Sequence, residues 1–214
     1  GGRGAGVDHP APRRSRAGIV LMPDVREFSR PGAGSRETTS DRQRGTPAVS
    51  WISPHRRHRP QIAHILEEAG AFRPNEVDVA LEVFDAYCDA PGVDYSAVAA
   101  IAPEDELAGF AFYGATPCTV GCWDLYWIAV SSRYRGSGLG RGLIERVERA
   151  IKAEAGRLCL IETSSRSDYE ATRRFYSACG YDEVARVPDF YADGDDCVIY
   201  LKRFADPQSP LGRE

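Results

Sequence analysis

Arg135-Gly136-Ser137-Gly138-Leu139-Gly140 is the stretch of this chain best suited to hold an anion. Its glycines leave room for close backbone approach, so consecutive N–H groups can converge on one phosphate. Asp124–Val130 before it is apolar, aromatic and β-branched, and reads as a strand. After it, Leu139, Leu143, Ile144, Val147 and Ile151 recur at three- and four-residue spacing, the pattern of an amphipathic helix. A helix N-terminus at the turn adds positive potential. Several phosphate ligands suit such a site. It is not a Walker loop, because Arg141-Gly142 stands where a Lys-Ser/Thr pair would close the turn. The glycine spacing also misses the dinucleotide pattern Gly-x-Gly-x-x-Gly. An ordinary glycine-rich turn would share all of these features.

Downstream residues narrow the choice. Arg135-x-x-Gly138-x-Gly140 resembles the acetyl-CoA pyrophosphate loop of the GNAT N-acetyltransferases, Arg/Gln-x-x-Gly-x-Gly/Ala. Ile128-Ala129-Val130 resembles that family's fourth strand, and Leu158–Thr163 its fifth. Ala171-x-x-x-Phe175-Tyr176-x-x-x-Gly180-Tyr181 resembles its second signature. The resemblance covers roughly residues 47–204. It implies a GNAT fold, with splayed fourth and fifth strands and the cofactor in the gap. It also implies acetyl-CoA, or coenzyme A, as cosubstrate and an amine as acceptor, either a small molecule or a protein.

Amide formation from a thioester needs a neutral amine, stabilisation of the carbonyl oxygen as it gains charge, and a proton for the leaving thiolate. Asp124 is the first candidate base: the resemblance places it where some GNAT enzymes carry a carboxylate, and strict alternation would put residues 124, 126, 128 and 130 on one face. Glu162 in the fifth strand competes for the role, unless it is a structural partner of Arg166. The backbone of Ile128, Ala129 and Val130 is expected to face the pantetheine arm and to offer an oxyanion donor. Arg135 and Arg141 flank the turn Gly136, Ser137, Gly138, Leu139 and Gly140, and are expected to bond the pyrophosphate. Tyr176 is the candidate general acid, since a phenol is protonated at neutral pH. Asp168 stands where the family often has an Asn that contacts the pantetheine, and it equally suits a helix N-cap.

These groups need a scaffold, and the pattern supplies one. Residues 48–52 read as a strand, and residues 60–68 as a helix ending at Gly70. A second helix runs from an N-cap at Asn75 to about Cys88. Residues 97–101 and 107–113 read as a hairpin joined by an acidic turn, followed by a strand over 124–130 and a helix over 137–155. A strand over 158–163, a helix over 168–179 and a strand over 197–202 complete the order. This β-α-α-β-β-β-α-β-α-β series predicts an α/β (α+β) domain over 47–204, with a mixed, mostly antiparallel sheet and helices on both faces. The resemblance implies an acceptor pocket between residues 70–76 and residues 188–196; the acidic and aromatic character of the second segment would suit a cationic amine, but it reads first as a solvated acidic turn.

Composition bounds the alternatives. Residues 1–46 hold nine Arg, no Lys and five Asp/Glu, a balance of +4 against −8 for the remainder. That stretch is Gly/Pro/Ser-rich and is expected to be a disordered extension, as 205–214 is a tail. A nucleic-acid arm is the sharper alternative, but the Arg residues are scattered and Phe28 is the only ring among them. No apolar run reaches about 18 residues, so no membrane span is expected. Gly18–Met22 is too short for a signal peptide, and the six cysteines read as reduced thiols with no zinc-like spacing, so a cytoplasmic, metal-free protein is expected. A homodimer is left open. A non-catalytic acyl-CoA-binding sensor is the alternative function, against which Asp124, Glu162 and Tyr176 together favour an acyltransferase.

Overall fold

The computed structural model describes residues 48–70 and 72–204. The Arg-rich extension and the C-terminal tail lie outside the described residues. Near-continuous apolar runs, buried on both faces, build the predicted hairpin of β2 (Ser96–Ala102) and β3 (Glu106–Ala115). A short β1 (Ser50–Ile52) joins its outer edge. β4 (Cys122–Val130) pairs antiparallel with β3, and parallel with β5 (Leu158–Ser164). β7 (Asp195–Arg203) and β6 (Asp182–Ala192) finish a mixed sheet in the order β1-β2-β3-β4-β5-β7-β6. α1 (Arg59–Ala69) and α2 (Pro74–Asp89) cover one face, where Ile62, Leu66 and Phe84 are buried with Phe110 and Trp127. α3 (Leu139–Ala153) and α4 (Glu170–Ala178) carry the core of the other face, with Leu143, Val147 and Tyr176 against Ile128, Ile161 and Val198. No helix among the described residues is long and apolar enough to cross a membrane.

β6 was not predicted. Ten of its eleven residues are exposed, so no period-two apolar pattern marks it. Its partner β7 supplies the pairing, and its ladder jumps from Val187↔Cys197 to Ala192↔Asp195 across a wide bulge. The stretch 188–196 is therefore strand, bulge and hairpin rather than a solvated turn. Two helix starts also differ. Pro74 opens α2 with Arg73 as N-cap, so Asn75 lies inside the helix. Asp168 sits in a 3-10 turn, paired with Arg166, and α4 begins at Glu170.

One half-buried ammonium joins three elements. Lys202 Nζ on β7 donates to Glu148 Oε1 on α3 at 2.7 Å and to the Cys179 carbonyl at the end of α4 at 2.8 Å. Lys202→Met strands the Glu148 carboxylate. It is expected to cost about 2 kcal/mol in urea unfolding, less than the ~3–5 of a fully buried pair because Lys202 keeps some exposure. The double variant with Glu148→Met is expected to recover most of that loss.

Candidate active site

β4 and β5 part company early. They pair only at Cys122↔Leu158, Trp123↔Cys159 and Asp124↔Leu160. Beyond Asp124 the β5-facing backbone of β4, including Ile128, Ala129 and Val130, has no partner in β5. A bulge accompanies the parting: the β3–β4 register shifts by one residue, leaving Tyr126 as the extra residue. The bulge overturns the expected alternation. Leu125, Ile128 and Val130 join the α3/α4 core, whereas Tyr126, Trp127 and Ala129 pack on the α1/α2 side. Asp124, next to Leu125 on the pleat, faces the α1/α2 side, and so does not share a face with Ile128 and Val130.

A cavity of about 210 Å³ opens at the parting, and Asp124 and Glu162 both line it. The two candidate bases thus come from adjacent strands to one space. Thr116, Leu125, Tyr126, Leu160 and Ile199 line it with them. Thr116 Oγ1 donates to Asp124 Oδ2 at 2.8 Å, orienting the carboxylate. None of these five additional residues was singled out from the sequence as a site residue. Leu160 and Ile199 carried a usable signal, since Leu160 lies two residues before Glu162 and strand alternation puts both on one face. Arg166, weighed as a partner for Glu162, is engaged by Asp168.

The glycine turn stands at the start of α3. Gly136 and Gly138 adopt φ of 72° and 81°, a left-handed conformation that favours glycine, and nothing lies within 4 Å of where a Cβ would sit on either. Gly138 caps α3 without a side-chain bond, so the first-turn N–H groups keep no capping partner. The approach to the turn is tied down. Glu68 Oε1 and Oε2 accept from the Ser132 N–H and Oγ, each at 2.8 Å, and Tyr134 OH donates to Glu106 at 2.8 Å. Arg135 is the telling residue: its Nε and Nη2 are buried and make no hydrogen bond. A guanidinium held this way is costly until an anion meets it, and a pyrophosphate fits that need. Arg141 Nη2 donates to the Ala178 carbonyl of α4 at 3.0 Å.

Tyr176 lies on the far side of the sheet from the two carboxylates. It is wholly buried among Phe175, Tyr181 and Tyr200, and its hydroxyl has no hydrogen-bond partner. Burial holds its pKa well above the ordinary phenol range, so it is a neutral donor at any working pH.

Residues 94–183 match the family model described as an acetyltransferase (GNAT) domain. A solved protein from Desulfovibrio desulfuricans, described as an acetyltransferase of the GNAT family, is 38% identical, with a TM-score of 0.71 over 74% of this chain and 100% of that one. An uncharacterised N-acetyltransferase from Methanocaldococcus jannaschii is 31% identical over 85 residues, 39% of this chain and 53% of that relative, so the match spans about half of that protein's length. An aminoglycoside 6'-N-acetyltransferase solved with coenzyme A shares the fold at 19% identity, with a TM-score of 0.59 over 74% of this chain and 99% of that one.

Proposed function

The chain belongs to the GNAT acetyltransferase family, and from that premise we propose that it transfers an acetyl group from acetyl-CoA to a primary amine by direct attack in a ternary complex. The observation that carries this reading is the cavity at the parting of β4 and β5, lined by Asp124 and Glu162. Acetyl-CoA supplies an activated thioester. The glycine turn 135–140 and the unpaired Arg135 guanidinium hold its pyrophosphate, and the free edge of β4 over Ile128–Val130 holds its arm. Asp124, oriented by Thr116, takes the amine proton directly or through water, which frees the nitrogen lone pair to form the new C–N bond. An unpaired N–H of β4 stabilises the carbonyl oxygen as it gains charge. As the C–S bond breaks Tyr176 gives its proton to the sulfur; the nitrogen's second proton and the one held by Asp124 pass to water, which returns one of them to the phenol, so that one proton is released overall.

Two of the thiols on the α3/α4 face do not offer a competing acyl-cysteine route. Burial pushes Cys159 up to about 12 and Cys179 up to about 11, so both are protonated at neutral pH and poor nucleophiles.

Thiol release across an amine panel tests the reading. Asp124→Asn is expected to lower kcat roughly 10²-fold near neutral pH, with much of the loss recovered as the pH rises and the amine deprotonates unaided. Loss confined to Glu162→Gln moves the base to β5. Absence of thiol release with every amine, while coenzyme A still raises the melting temperature, leaves the sensor reading in its place.

A further inference from the structure

We infer that the acceptor is a compact primary amine of a small molecule, and that lysines within a polypeptide are excluded, because the acceptor side of the cleft is bridged just beyond the two carboxylates. The inference rests on the acetyl-transfer reading and concerns what that site admits.

The bridge follows from strand register. On the α1/α2 face of β5 and β7, Glu162 stands opposite Ile199, and Ser164 stands opposite Cys197. The first pair lines the cavity. The second lies two residues further along, about 7 Å by strand geometry, and both of its members are covered. Ser164 Oγ donates to Asp195 Oδ1 at 2.5 Å, and the Tyr191 hydroxyl lies 3.6 Å from Cys197 Sγ. The wide bulge in β6 is what brings Tyr191 inward.

The cover is closed from the helical side as well. Asp195 Oδ2 lies 3.5 Å from Arg73 Nη2 at the N-cap of α2. Phe72 and Tyr191, one from each side, pack against the wholly buried Tyr169. The base of the bridge is rigid: Arg173 Nη1 donates to the carbonyls of Ser164 at 2.7 Å and of Arg166 at 2.9 Å. An extended polypeptide presenting an internal lysine needs a groove open at both ends, about 3.3 Å per residue on each side of that lysine. Here one end is occupied within two residues of Glu162. The space that remains, about 210 Å³, is smaller than the 300–1,000 Å³ or so that holds a drug-sized ligand. Apart from the carboxylates and Thr116, its walls are Leu125, Leu160, Ile199 and the Tyr126 ring. That lining suits one amine on a short apolar body, and offers few partners to a polycation.

Three acceptors separate the outcomes: phenethylamine, a peptide with a blocked N-terminus and one internal lysine, and a peptide with a free α-amine and no lysine. The expected kcat/KM for phenethylamine exceeds that for the blocked peptide by at least about 10²-fold. Arg73→Ala, at a half-exposed position, and Asp195→Asn are each expected to narrow that ratio by raising the value for the blocked peptide. A melting temperature near wild type shows that either variant is folded. Acetylation of the blocked peptide by the wild type at a comparable rate overturns the inference. So does preference for the free α-amine peptide, or a ratio that neither variant changes. Transfer to none of the three, with coenzyme A still raising the melting temperature, overturns the acetyl-transfer reading and this inference with it.

Discussion

Replacing Tyr176 by Phe is expected to lower kcat by roughly 10²–10⁴-fold, the range of a lost general acid, while leaving the KM for acetyl-CoA within about twofold. The variant keeps the ring, and with it the contacts to Phe175, Tyr200 and Tyr181 at centroid distances of 5.6, 5.7 and 6.3 Å. It removes a buried hydroxyl that has no hydrogen-bond partner. Such a group contributes desolvation cost and no bond, so its removal is expected to leave the melting temperature unchanged or slightly higher. That combination distinguishes a proton donor from a packing residue, whose loss would lower stability before it lowered turnover. The pH profile adds a further check. Burial raises the phenol pKa, so the proton stays on Tyr176 up to and beyond pH 10, and any alkaline fall in kcat below that pH belongs to another group. A Phe variant with native kcat on a confirmed acceptor would remove Tyr176 from the mechanism.

Gly138→Glu is expected to abolish binding of coenzyme A, read as loss of its shift in melting temperature. For a ligand at 100 times its Kd the stabilisation lost is about 2.7 kcal/mol. The new side chain meets open space, because nothing lies within 4 Å of a Cβ at this position. It therefore fails for two other reasons. A carboxylate enters the place prepared for a phosphate, and φ of 81° is a conformation that L side chains rarely adopt. Gly138→Asn separates the two, since Asn tolerates left-handed backbone and carries no charge. It is expected to retain a reduced shift. Native affinity in a folded Glu variant would show that the pyrophosphate lies elsewhere.

Features that depend on neighbours along the chain are legible before any fold is known. The period of Leu139, Leu143, Ile144, Val147 and Ile151 marks α3, and all five residues are buried along one stripe. The glycines before them mark a turn that needs positive φ at Gly136 and Gly138, and that conformation is a local property of residues without a Cβ. The hairpin of β2 and β3, the strands β4 and β5, and the resemblance carried by Arg135–Gly140 and Ala171–Tyr181 are legible for the same reason.

How these pieces face one another follows from contacts between residues distant in the chain. A bulge belongs to a ladder rather than to one strand, so alternation along β4 could not show that Tyr126 is the extra residue or that Asp124 turns away from Ile128 and Val130. β6 has almost no buried side chain to leave a pattern, and only β7 across the hairpin makes it a strand. Arg141 adjoins the turn in sequence, yet it is drawn to a carbonyl at the end of α4, where unsatisfied oxygens and the helix dipole attract a cation. The cavity shared by Asp124 and Glu162, and the bridge from Arg73 to Asp195, join residues far apart in the chain. Such contacts form because sheet register and helix packing bring them together, and no local propensity encodes that distance.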